Sequence, residues 1–431
     1  MPFLSGTVAF SRFHVVGGSP KRVDEKFLEK FREHAIGKRR NPTSNDEEVG
    51  WIGGRHLLDR EFDAEKNILL DCLHFGMRID SAKVPPDVMH AYVQQELDSL
   101  LKDQPPAPAR ADEGLDMAES LAATGKVKGF AKLKKQAVEA AKHRAAQEIR
   151  QGRFAVMRQV PILWDTATDI LYVGATQPAI FERLIPLFKD TFDKKLEPVT
   201  SGTMAYRWAE GNGLSRRIEA MQAAKYVEHE NGNGHTDIYW TARDPASRDF
   251  LGNEFLLWLW FTLATQGDTI GLEDKTEAAM IIVKQLVLEC PWAESGKATL
   301  TAPGPASLPE SLRAIRAGKL PRKAGLMISR QGEQYELVLQ AETLGVSGAV
   351  LPKLEIDSGP RAVFEERIEQ IRHLSATIDL LFRAFLERRT AADWPTTLES
   401  LKQWMTGAQE VEPIVRRAAA APIVNEAASV V

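Results

Sequence analysis

Residues 126–176 decide the fold class; they read KVKGFAKLKKQAVEAAKHRAAQEIRQGRFAVMRQVPILWDTATDILYVGAT. The first half places apolar residues at helical spacing, whereas residues 154–173 alternate between apolar and polar and are broken at Asp165–Asp169. The first pattern predicts a long helix, and the second predicts a hairpin of the strands VMRQVPILWD and ATDILYVGAT. A helix that leads into an antiparallel hairpin is typical of α+β proteins.

The flanking sequence supports this class. We expect a strand within residues 3–16, a turn at Gly50–Gly54 and a further strand within Ile68–Ile79. The predicted helices are Val23–Ala35, the segment that Val84-Pro85-Pro86 opens and that runs to Leu101, and Pro178–Asp193. This order predicts an α+β fold of antiparallel sheets with packed helices rather than a doubly wound α/β fold.

The second half of the chain continues in the same way. Phe250–Leu263 predicts a buried aromatic helix, Glu277–Cys290 a strand or helix, and Phe364–Leu386 a long helix. Leu326–Ser329 and Tyr335–Leu339 predict a hairpin, because Gln331-Gly332 lies between them.

Composition limits the class of protein. The chain has 431 residues, 44% hydrophobic and 26% charged, as expected of a soluble protein with about two or three domains. Its two cysteines have no partner spacing, which favours a reducing, cytoplasmic location without disulfides. We expect no signal peptide and no membrane segment, since no apolar run approaches the roughly 20 residues that span a bilayer.

The segment 126–158 separates charge within the chain. It holds ten Lys/Arg and two acids, so it carries about +8, whereas the chain carries −4 and the remainder therefore −12. Such separation is typical of polyanion-binding surfaces. The ten cations are Lys126, Lys128, Lys132, Lys134, Lys135, Lys142, Arg144, Arg150, Arg153 and Arg158.

Helical spacing arranges many of these cations in one row. At about 100° per residue, one arc contains Lys128, Lys132, Lys135, Lys142 and Arg150. The opposite side is apolar and includes Phe130, Leu133, Ala137, Ala141 and Ala145, with Lys126, Lys134 and Arg144 at its edge. The alternative interpretation is a charged helix that is merely solvated.

A second basic patch precedes the predicted C-terminal hairpin. It has five cations and no acid within its own sequence: Arg313, Arg316, Lys319, Arg322 and Lys323. A helix C-terminus favours cations through its dipole, which is the alternative explanation. The two patches together favour a DNA-binding surface, with no cofactor.

Enzymatic alternatives rest on weaker patterns. The chain lacks a phosphate-binding GxxxxGK[ST] loop, and His235 with Asp237 would need further ligands to bind a metal. A two-metal nuclease could be built from Asp244, Asp249, Glu254, Glu273 and Asp274, but nothing in their spacing singles them out, and surface acids at helix ends are the better explanation. We therefore predict no catalytic residue, no metal site and no enzyme activity.

The aromatic helix leaves another alternative open. Phe255, Trp258, Leu259 and Trp260 could stack on bases or bind a partner protein, or they could form core.

Several short motifs, taken in order, resemble one family. They are Gly50-Trp51, the strand Ile68–Cys72, the helix start Lys83-Val84-Pro85-Pro86, the Lys-rich helix with Arg153-Phe154, and Trp164-Asp165 followed by Leu171–Val173. Ala317-Gly318-Lys319, Lys323, Phe364-Glu365 and Ile378-Asp379-Leu380 follow. The chain resembles the recombination-associated protein RdgC family of bacteria over residues 1–210 and 312–390.

The resemblance implies a non-catalytic, nucleoid-associated protein. Family members form ring-shaped homodimers that encircle duplex DNA with little sequence preference and restrain the RecA recombinase. Both basic patches would then face DNA, and Phe154 would lie at the contact between subunits. Composition and element order suggest a domain scheme: 1–102 and 126–230 as α+β regions joined by a 103–125 linker, 312–408 as a C-terminal α+β region, and 409–431 as a flexible tail. The resemblance implies that 231–311 is an insertion.

Overall fold

The computed structural model describes residues 3–38, 47–102, 127–231, 234–239, 247–290, 296–353 and 359–407. The strands are β1 (Val8–Val16), β2 (Glu48–Ile52), β3 (Ile68–Leu69), β4 (Cys72–Ala82), β5 (Ala155–Asp165), β6 (Ile170–Val173), β7 (Lys195–Pro198), β8 (Lys225–Asn231), β9 (Gly234–Tyr239), β10 (Thr269–Gly271), β11 (Glu277–Glu289), β12 (Lys297–Thr301), β13 (Leu320–Arg330), β14 (Glu333–Gln340) and β15 (Val346–Val350). The helices are α1 (Glu25–Glu33), α2 (Ala64–Asn67), α3 (Pro86–Lys102), α4 (Val127–Arg150), α5 (Pro178–Phe192), α6 (Ser201–Gly211), α7 (Ser215–Glu219), α8 (Phe250–Thr265), α9 (Pro309–Arg316), α10 (Pro360–Thr390) and α11 (Trp394–Thr406).

Thirteen of the described strands form one sheet. Its main order is β10-β11-β13-β14-β15-β1-β6-β5-β4-β2, and every named strand pair in it is antiparallel. Strand β1 joins its two halves, because its first residues pair with β15 and its later residues pair with β6 and β7. The predicted α+β class with antiparallel sheet and packed helices is confirmed.

Two large cores lie against this sheet. Helices α8 and α10 cover the half that contains β11 and β13, where Phe255, Phe382 and Leu326 are buried. Helices α1 and α5 cover the other half, around Phe31 and Trp164. The sheet is thus held on both sides of β1 by the burial of aromatic side chains, each of which contributes roughly 1.5–3 kcal/mol.

Helix α8 shows why the aromatic segment folds as it does. A helix that is apolar on all sides has to be buried on all sides, and Phe250–Leu263 is buried at every position. Gly252 permits this burial, since a Cβ there would lie 1.8 Å from the Ala341 carbonyl oxygen. The helix is therefore packed core, and it presents no stacking or docking surface.

The turn expected at Gly50–Gly54 is wrong over its first three residues, which belong to β2. The error has a non-local cause: Ile36 donates a backbone hydrogen bond to the Trp51 carbonyl (3.0 Å), and a Cβ at residue 50 would lie 2.5 Å from the Ile36 nitrogen. Glycine is needed there for close approach, and it does not end the strand.

Two other predicted elements also differ. The strand expected within Ile68–Ile79 is two strands, because Leu70 adopts a left-handed turn conformation (φ 52°) between β3 and β4. The region 231–311 contributes α8 and β11 to the larger core, and that core draws residues from Phe3 to Met405. The described residues therefore show shared packing across the domain boundaries suggested by the sequence.

The other elements agree with expectation. Helices α3, α5 and α10 and the hairpins β5–β6 and β13–β14 lie where the sequence predicts them. The predicted linker 103–125 and tail 409–431 lie outside the described residues. Within the described residues, no helix is both long and apolar enough to span a membrane.

Candidate nucleic-acid interface

Helices α3 and α4 pack on each other and form a helical hairpin, which we call the arm. Its small core is separate from the two large cores and centres on Tyr92, Ala141 and Ala145. Ala137, which is also fully buried, continues the same face of α4. Alanine at every fourth position lets the two helices approach closely. The predicted apolar side of α4 is confirmed as its packed side.

A polar cluster fastens the two helices near the base of the arm. The Tyr92 hydroxyl donates to Glu148 (2.5 Å), and Arg153 reaches the same carboxylate at 3.4 Å. The hydrogen bond from Tyr92 is the main cause that lowers the pKa of Glu148, and the same bond raises the pKa of Tyr92. The cluster therefore stabilises the ionised carboxylate.

Arg144 takes part in this cluster as well. Its guanidinium carbon lies 4.2 Å from the centre of the Tyr92 ring, and its Nη1 donates to Gln95 of α3 at 2.9 Å. A cation over an aromatic face is attracted by the ring quadrupole. Arg144 and Arg153, both predicted to bind DNA, are thus engaged in holding the arm together.

The opposite face of α4 is cationic. Lys132, Lys135 and Arg150 are exposed on this face, and none of them has an acidic partner among the residues that the structure describes. Lys134 is exposed as well, but helical spacing places it on the side of Ala137 and Ala141. Lys142 is also exposed but lies 3.0 Å from Glu139, an acid on the same face. The spacing Glu139-x-x-Lys142 could have revealed this pair from the sequence. We call Lys132, Lys135, Lys142 and Arg150 the cationic face.

Two predicted residues at the start of the helix remain predictions. Lys126 lies outside the described residues, and Lys128 belongs to α4 but its side chain is not described.

The basic segment does not stay helical to its end. Helix α4 ends at Arg150, and Arg158 lies on β5, where its Nη2 donates to Gln177 (3.0 Å). Phe154, the predicted subunit contact, connects the arm to β5 with a left-handed backbone (φ 61°). Val156 and Met157 follow it with 56% and 46% of their surface exposed, an unusual amount for adjacent large apolar residues.

Sequence reasoning missed one cation next to the arm. Lys83 is exposed between β4 and α3, and it lines a groove together with Lys142 and Arg150. It is separated from the basic helix by more than 40 positions in the sequence. The antiparallel pairing of Ala82 with Ala155 and the packing of α3 on α4 bring the two segments together.

The second basic patch is more dispersed than its sequence indicates. Arg313 pairs with Glu310 (2.9 Å), and the Arg316 Nε donates to the Met405 carbonyl (3.2 Å). Arg322 lies 3.2 Å from Glu289 and also contacts Glu342. Lys319 and Lys323 are half-buried. Acids from distant strands thus neutralise part of this patch.

The two basic regions lie on different parts of the sheet. Strand β13, which carries Arg322 and Lys323, is five pairing steps from β5. Five steps correspond to about 24 Å at roughly 4.8 Å per step. The two basic regions are therefore separate. The cationic face is the less neutralised of the two, because acids contact Arg313 and Arg322 in the second patch.

The acids proposed for a nuclease have separate partners. Glu254 is fully buried and binds Arg389 (2.7 Å), while an Asp249 carboxylate oxygen accepts from the Gly202 N–H (3.0 Å). Asp274 contacts Arg330, and Glu273 lies 2.5 Å from Arg383. Asp244 lies outside the described residues, as do the side chains of His235 and Asp237. Within the described part of the chain, no three His, Cys, Asp or Glu residues are grouped to hold a metal.

Comparison with known proteins adds no assignment: no protein-family model matches this chain, and neither does any curated protein.

Proposed function

We propose that this protein binds double-stranded DNA without sequence preference through the cationic face of the arm. The observation that carries the proposal is a row of exposed Lys and Arg side chains, three of four without an acidic partner among the described residues, on a helix whose other side is packed. Lys and Arg neutralise phosphates and release condensed counterions, so this arrangement supplies affinity without reading bases.

The dimensions of the arm suit a duplex backbone. Lys132 and Arg150 are 18 residues apart, which corresponds to about 27 Å along a helix. Phosphates of one strand rise by about 3.4 Å each along the duplex axis, and the strand winds once around the axis in about 34–36 Å, so only the phosphates on the side of α4 are within reach. A duplex lying along α4 could therefore meet several cations at once.

The resemblance to the RdgC family supports a more specific proposal. In it, the protein forms a ring-shaped homodimer that encircles DNA and associates with the nucleoid. The ring restrains RecA by occupying the duplex, without catalysing a reaction. Exposed Val156 and Met157 beside Phe154 support a contact between subunits at this point.

The primary test is a titration of unrelated duplexes over a series of salt concentrations. We expect equal affinities and a steep negative slope of log affinity against log salt. A strong preference for one sequence would contradict the proposal.

The same protein incubated with DNA and Mg²⁺ tests the nuclease alternative. Cleavage that is lost in Asp249→Ala would favour an enzyme, whereas intact DNA agrees with a binding protein.

Light scattering of wild type and Phe154→Ser tests the dimer: we expect a dimer that the substitution weakens, and a monomeric wild type would refute ring formation.

A further inference from the structure

A groove lies at the base of the arm, where β4 leaves the sheet and enters α3. Its volume is about 390 Å³, within the range of ligand pockets. The floor is apolar and contains Val84, Met89 and Ile149, all half-buried. The floor thus exposes apolar surface that the arm's own core does not fully cover.

The rim of this groove is positively charged. Lys83 stands on one side and Lys142 and Arg150 stand on the other, and none of the described residues that line the groove is acidic. Lys83 and Arg150 have no acidic partner among the described residues. Helix α3 begins at Pro86 beside the groove, and Asp87 in its first turn offsets the positive end of the helix dipole, so the positive potential of the rim comes from its Lys and Arg side chains.

These two properties together define the chemistry of a ligand. A DNA backbone would satisfy the rim but would leave the apolar floor in water. A peptide that carries acidic residues around apolar side chains would satisfy both, since burial of the apolar groups and charge pairing then act at one site.

We propose that the groove binds an acidic amphipathic segment of a partner protein, and that this segment competes with DNA. Competition follows because Lys142 and Arg150 belong both to the groove and to the cationic face. The proposed competition rests on the proposed DNA binding, whereas the proposed peptide binding does not.

The test uses the full chain and two labelled synthetic peptides. One has Asp and Glu with leucines along one helical face, and the other has serine in place of each leucine. Lys83→Glu removes a rim cation, and Lys132→Glu is the matched control, because it changes the charge equally but lies outside the groove. Circular dichroism checks that both variants keep their helix content.

We expect the leucine peptide to bind about tenfold more tightly than the serine peptide. Lys83→Glu should weaken its binding about tenfold, whereas Lys132→Glu should change it by less than about twofold. Equal binding of both peptides, or equal effects of both variants, would reduce the interaction to general charge attraction and overturn the proposal.

A second measurement separates the two functions. Saturating leucine peptide should raise the Kd of wild type for duplex DNA, and DNA affinity that does not change would refute competition. If the chain binds no duplex at all, the DNA proposal fails, whereas peptide binding that depends on Lys83 would still support the groove.

Discussion

Replacement of Lys132, Lys135 and Arg150 by glutamine tests the cationic face most directly. The three side chains are exposed, share the arc of α4 opposite its buried alanines, and have no acidic partner among the described residues. Each lost phosphate contact should lower the salt slope by about 0.9, so the triple variant should lose about 2.7 in slope. If each contact is worth about 1 kcal/mol, the loss of about 3 kcal/mol corresponds to an affinity at least a hundredfold lower at low salt.

The fold should tolerate these changes. Glutamine has nearly the same helix propensity as lysine and arginine, and exposed substitutions generally change the free energy of unfolding by less than about 0.5 kcal/mol. The assay is fluorescence anisotropy of a labelled duplex at several salt concentrations, with thermal unfolding measured in parallel.

A matched control removes the same charge elsewhere. Lys21, Lys26 and Lys189 are exposed and distant in sequence from the arm, and their replacement by glutamine should leave the slope nearly unchanged. If the arm variant keeps wild-type affinity and slope, α4 is only a solvated helix. If arm and control variants lose affinity equally, net charge rather than the arm governs binding.

Three further predictions concern stability. Burial lowers the pKa of His74 from 6.5 to about 4, so the unfolded chain takes up a proton first as the pH falls through this window. Stability should therefore be lost between pH 6.5 and about 4, by up to about 1.4 kcal/mol per pH unit, and urea unfolding of His74→Gln should show a smaller loss. Gly50→Ala should destabilise the protein by more than about 2 kcal/mol, because its Cβ would lie 2.5 Å from the Ile36 nitrogen; a thermal midpoint equal to wild type would contradict this. Tyr92→Phe should speed amide hydrogen exchange in the arm but not in α8, because the bond to Glu148 is confined to the arm.

Local patterns were sufficient to predict the regular elements. The 3.6-residue period of α3 and α4 reflects a single packed face, so the sequence predicts both helices. Strand β2 was missed because the role of Gly50 depends on Ile36, which approaches from the end of another element. A glycine needed for close packing looks the same in sequence as a glycine in a turn.

It was harder to predict which cations are engaged by other side chains and which remain available to a ligand. Counting charge identified the basic segment, but Arg144 meets Tyr92 and Gln95 only because α3 and α4 are antiparallel. Arg322 likewise meets Glu289 and Glu342 through strand pairing. Charge within a segment therefore overestimates the charge available to a ligand, and the difference comes from tertiary neighbours.

The connection between arm and sheet bears on how DNA would bind. Strand β5 pairs with β4 along its whole length, from Ala155 at the arm to Asp165 at the far end. Asp165 is fully buried and accepts two hydrogen bonds from Arg372 of α10, at 2.8 and 2.9 Å. The root of the arm is thus a ribbon fixed between both cores, and the Tyr92–Glu148 bond fixes the helices above it.

Because folding has already ordered this scaffold, DNA would have to order only the ends of long side chains. Affinity should then follow the number of phosphate contacts rather than a coupled folding step.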